Sequence, residues 1–135
     1  MSEVSDDELI VVIKDFLEMG YVDNIVAMFD QEPRYFDLTG RILDDERFNV
    51  RLGVSVLFEE LQLRGCEISM AIHSLVPLLD SSEPHIRGEA LSILGIIASP
   101  ETYPLITRMT DDPQPQVAEI ANEIAKELEI AHNIS

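Results

Sequence analysis

Apolar side chains recur along this chain at spacings of three and four residues, in blocks interrupted by short polar stretches that carry proline or glycine. The pattern predicts helices throughout. The most sharply bounded block covers residues 80–98. Asp80, Ser81 and Ser82 offer side-chain oxygens to free backbone N–H groups, and Pro84 suits a first helical turn, where its missing N–H costs little. Ile86, Ala90, Leu91, Ile93, Leu94, Ile97 and Ala98 then make a wide apolar face. Upstream, Ser5 and Glu8 match a capping box and open a helix over 6–19 with Leu9, Ile10, Val12, Ile13, Phe16 and Leu17 inward, ended by Gly20. Further helices are predicted over 21–30, 33–43, 47–63 and 67–79. Arg64-Gly65 stops the fourth, and Pro77 kinks or shortens the fifth. A short helix through Tyr103, Leu105, Ile106 and Met109 and a last one over 115–130 complete the set, with 132–135 fraying.

Three of the turns superpose. Asp44, Asp80 and Asp111 coincide, and so do Val50, Ile86 and Val117, then Val54, Ala90 and Ala121, then Leu57, Ile93 and Ile124. Periods of 36 and 31 residues correspond to one helix pair per repeat. Arg51 and Arg87 share a column in which the third repeat has Ala118. A lone helix pair cannot cover its own apolar stripe, whereas stacked neighbours bury it. The expected fold is therefore all-α: an α-solenoid of about three helix pairs (33–65, 66–98 and 99–131) behind an N-terminal helical cap, 1–32, that fits the repeat poorly.

The segments SSEPHIRGEALSILG and ASPETYPLITRMTDDPQPQVAEIANEIAKEL resemble the HEAT repeat family, in particular the short HEAT-like repeats of the phycobilisome lyase type. The likeness is good over 68–128 and fair over 33–65. It implies a right-handed α-α superhelix in which Asp44, Arg51, Asp80 and Arg87 form a structural Asp–Arg ladder at the turns. It also implies that the helices starting near Arg47, Pro84 and Pro115 line a concave face. Asn49, His85 and Gln116 make one row of that face, Leu52, Gly88 and Glu119 a second, Val56, Ser92 and Glu123 a third; Glu60 and Ile96 belong to a fourth, and Glu89 adjoins them. Leu52, Val56 and Ile96 are apolar where a solvated ridge would be polar, which points to a contact surface.

Charge narrows the partners. With 26 acidic and 9 basic side chains the formal net charge is -17, and up to Glu32 Lys14 is the sole basic residue against nine acidic ones. Such a surface repels nucleic acid and anionic lipid and favours a basic patch on a protein. No apolar run is long enough for a membrane span, and the acidic start does not read as an export signal. The single cysteine, Cys66, rules out an intramolecular disulfide, so a cytoplasmic protein is expected. His73, His85 and His132 have no ligand spacing, the acidic clusters lack the alternation and central glycine of a calcium loop, and no phosphate loop or nucleophile elbow is present. Cys66 could have a lowered pKa if it begins a helix. No catalytic residue, metal or cofactor is expected. The reading is a non-catalytic binding module (an adaptor, assembly factor or regulator), monomeric or weakly dimeric. The alternative is a bilin or tetrapyrrole lyase-like enzyme, or its accessory subunit, which the family likeness alone suggests.

Overall fold

A computed structural model describes residues 4–134; Met1 to Glu3, at the start of the expected cap, and Ser135, at the end of the expected frayed tail, lie outside the described residues. The fold is all-helical, with no strand among the described residues. Among the described residues eight α-helices follow one another: α1 (Asp6–Glu18), α2 (Val22–Gln31), α3 (Thr39–Leu43), α4 (Phe48–Leu63), α5 (Ile72–Leu75), α6 (Pro84–Ile97), α7 (Tyr103–Arg108) and α8 (Pro115–His132). No helix of the described residues is long and apolar enough to cross a membrane.

The long helices adjoin in chain order: α1 packs on α4, α4 on α6 and α6 on α8. The short helices attach to them, α3 against α4 and α5, α5 against α6, and α7 against α8. Their shared core is aliphatic toward the C-terminus, through Leu91, Ile93, Leu94, Ala121 and Leu128. Toward the N-terminus it is aromatic. Phe29 meets Phe36 edge-on at 5.1 Å, and Phe36 meets Phe58 at 6.0 Å, tying α2 to α4 through the segment between them. Val12, expected in the core, is 45% exposed because α1 is covered on one side only.

Two expected helices are broken. Pro33–Leu38 is a 3-10 helix, and only Thr39–Leu43 is α-helical. Likewise Ser69–Ala71 and Val76–Asp80 are 3-10 turns around a four-residue α5. Pro77 explains the second break, since it has no N–H to continue the ladder. The late start follows from Glu67, whose carboxylate accepts the N–H and hydroxyl of Ser69 at 3.1 and 2.6 Å and holds the chain in a turn. The two short helices touch backbone to backbone at Gly40. Its N–H donates to Ser74 Oγ at 3.0 Å, and a Cβ built on it would stand 2.0 Å from the Ser74 carbonyl oxygen.

The turns hold the expected arginines, but in different company. Asp44 and Asp80 are exposed. Among the described residues neither reaches Arg51 or Arg87, and Asp80 lies 3.6 Å from Arg108. The next residue along does the work. Asp45 receives Lys14 of α1 at 3.1 Å and Arg47 at 3.0 Å. Asp112 receives Arg87 through two bonds of 2.8 Å. Both carboxylates also accept the N–H two residues on, Arg47 for Asp45 and Gln114 for Asp112, which fixes their side chains toward the interior. The far end of α6 is tied on both sides. Gln62 of α4 donates to the Ile96 carbonyl at 2.7 Å, and His132 Nε2 donates to the Ala98 carbonyl at 2.8 Å. His132 is thus part of α8, where fraying was expected. Ala98 closes α6 in the left-handed conformation, with φ 56°.

Candidate functional site

A recess with an apolar floor lies between α6 and α8. It has a volume of about 400 Å³ and is lined by Pro84, His85, Gly88, Glu89, Ser92, Gln114, Gln116, Val117 and Ile120. Its depth originates at Gly88. This residue is buried, although a place on the exposed face was expected for it. A Cβ there would meet Ile120 at 3.5 Å and Val117 at 3.9 Å, so the missing side chain lets those two groups form the floor. Ser92 turns its hydroxyl back to the Gly88 carbonyl at 3.0 Å. Glu89 is half-buried on the α6 side, while Glu119 and Glu123 stand exposed along α8. Among the described residues no lysine or arginine lines the recess. An apolar floor beside one lining carboxylate, Glu89, with Glu119 and Glu123 further along α8, makes a site suited to an apolar side chain carried on a cationic segment.

Of the residues read as one face, the recess brings together His85, Gly88, Glu89, Ser92 and Gln116. Asn49, Leu52, Val56, Glu60, Ile96, Glu119 and Glu123 do not line it. On α4, Leu52 is 48% and Val56 37% exposed, and with Phe48 at 59% they form an apolar stripe at four-residue spacing. Ile96 and Glu60 are half-buried. Val117 and Ile120 have the spacing of core residues. The glycine at position 88, in a column with Leu52 and Glu119, was the signal that a floor would open there.

Elsewhere the chemistry is sparse. Among the described residues no group of three His, Cys, Asp or Glu side chains is placed to hold a metal ion. Cys66 is half-buried, and its thiol lies 3.3 Å from Asp30 Oδ1. Burial first, then the Asp30 carboxylate, pushes its pKa up, the reverse of the activation a helix start would confer. His85 lies 3.8 Å from Glu83 and also borders a second cavity, about 550 Å³, between turn 44–46 and the start of α6. No family model, no curated protein and no solved structure matches the chain.

Proposed function

We propose that this chain is a non-catalytic protein–protein interaction module of the HEAT-like kind, an adaptor, assembly factor or regulator acting in the cytoplasm. In this reading its helix pairs over 33–65, 66–98 and 99–131 stack as a right-handed α-solenoid behind the cap formed by 1–32, and the concave side takes a basic surface of another protein. The observation that carries the reading is the recess between α6 and α8: apolar at Val117 and Ile120, bordered by Glu89, and free of any lining cation. The succession α4, α6, α8 supports the stacking, because each long helix adjoins the next in chain order.

A groove between two adjacent helices accepts side chains spaced three and four residues apart, so an amphipathic helix bearing lysines is the fitting probe. Such a peptide should bind with an affinity that falls steeply with salt, measured by fluorescence anisotropy. Replacing Glu89, Ser92 and Glu123 together with alanine should weaken binding about tenfold, in line with roughly 1.4 kcal/mol of lost interaction, with the thermal midpoint unchanged. Equal affinity for the variant and the parent chain would remove this face from consideration.

A further inference from the structure

The turns before α4, α6 and α8 are built alike. In each, a side-chain oxygen accepts the N–H two residues on: Asp45 from Arg47 at 2.8 Å, Ser81 from Glu83 at 3.1 Å, Asp112 from Gln114 at 2.9 Å. Two of these oxygens belong to carboxylates, and each carboxylate takes a cation from the preceding long helix, Lys14 for Asp45 and Arg87 for Asp112. The third oxygen, on Ser81, has no charge to offer. Register points to a cation for it in the preceding long helix. Arg51 holds in α4 the place that Arg87 holds in α6, and each donates Nη1 to the carbonyl six residues earlier, Asp45 at 3.0 Å and Ser81 at 2.9 Å. Arg87 then gives Nε to Asp112 at 2.8 Å. The equivalent atom of Arg51 is buried without a hydrogen-bond partner, in a side chain only 8% exposed. Among the described residues no carboxylate pairs with this guanidinium.

From this we infer that Ser81 is a phosphorylation site, and that a phosphate on it is held by Arg51. A phosphoryl group restores at position 81 the anion that Asp45 and Asp112 supply in the neighbouring turns, and its oxygens can keep the N–H of Glu83. Ser81 is half-buried at the start of α6, which leaves its hydroxyl open to a kinase. The transfer joins Ser81 Oγ to the γ-phosphorus of a nucleoside triphosphate. It breaks that phosphorus's bond to the β,γ-bridging oxygen, releases the diphosphate, and passes the hydroxyl proton to the kinase's base. Asp44, Asp45, Glu46 and Glu83 line the adjacent cavity and repel a dissolved anion, whereas a covalent bond at Ser81 holds the phosphate in place against that repulsion. This inference is independent of what docks between α6 and α8.

The test installs phosphoserine at position 81 by codon suppression and, as a control of equal net charge, at the exposed neighbour Ser82. Phosphoserine at 81 should raise the thermal midpoint by roughly 3 °C or more over the control. Its second ionisation, followed by phosphorus NMR, should lie below that of the control. Both differences should vanish in Arg51→Gln. Equal midpoints and equal ionisation at the two positions, or a difference that survives Arg51→Gln, would overturn the assignment. If Arg51→Gln does not fold, the NMR comparison in the parent chain decides alone. Inorganic phosphate stabilising the unmodified chain as much as phosphoserine 81 would also overturn it, in favour of a site for free anions.

Discussion

At the scale of single residues, the Arg87–Asp112 pair is the clearest stabilising contact, because its side chains are 12% and 5% exposed and joined by two short bonds. Asp112→Ala strands a largely buried guanidinium and should cost about 3 kcal/mol in urea denaturation. The hydrogen bonds from Arg87 and from Arg47 hold the Asp112 and Asp45 carboxyls below the ordinary carboxylate range. Their stabilisation is therefore complete above about pH 5 and is lost as pH falls, first through the unfolded carboxyl's range and then through the lower folded value. Asp112→Asn should flatten that acid limb. Tyr103 has the opposite sign. Its hydroxyl donates to Glu129 at 2.6 Å, which raises its pKa, so its contribution is present below the unfolded tyrosine value and fades as pH rises through the folded one. Ala98 holds a left-handed conformation that costs a non-glycine residue about 1 kcal/mol, and Ala98→Gly should recover about that much in the same denaturation assay. The aligned sequence located the acidic column of the turns one residue early. Asp44 and Asp45, or Asp111 and Asp112, are adjacent and chemically alike, and only the backbone bond to the residue two further on selects which one turns inward. Ala98 gave no signal because the residue type that marks such a helix end is absent there.

At the scale of elements, the hydrophobic spacing found the long helices because their apolar faces run for three turns or more: α1, α4, α6 and α8 begin and end within a few residues of expectation. It failed on the short segments around α3 and α5, where spacing of three and spacing of four cannot be told apart over six residues. There, side chains decide the backbone: Pro77 by a missing donor, Glu67 and Ser74 by capturing backbone and hydroxyl groups. The contact at Gly40 gives this region its sharpest test. A methyl group would run into the Ser74 carbonyl, which is backbone and cannot rotate away, so Gly40→Ala should cost 3 kcal/mol or more by urea denaturation, at or beyond the upper end of about 1–3 kcal/mol for overpacking.

At the scale of the whole molecule, 26 acidic side chains share 9 basic ones, and most carboxylates have no cation. Self-repulsion then opposes the compact state, and salt screens it, the Debye length falling to about 3 Å at 1 M. The thermal midpoint should rise as sodium chloride is added; a fall would mean that the ion pairs at the turns outweigh the repulsion. The charge that shapes this balance was plain in the sequence, as was the column of residues along α6. The recess was not, because its floor is made by Val117 and Ile120, whose spacing marks them as core, and by the absence of a side chain at Gly88. The chain has no tryptophan, and seven of its eight aromatic residues fall between Phe16 and Phe58. Tyr103 is left by itself in the other half, hydrogen-bonded to α8. With Tyr21 and Tyr35 changed to phenylalanine, ultraviolet emission would come from Tyr103 alone and would report the loosening of α7 from α8, while circular dichroism follows all the helices together. A gap between the two transitions would show that α7 and α8 part separately from the melting of the other helices.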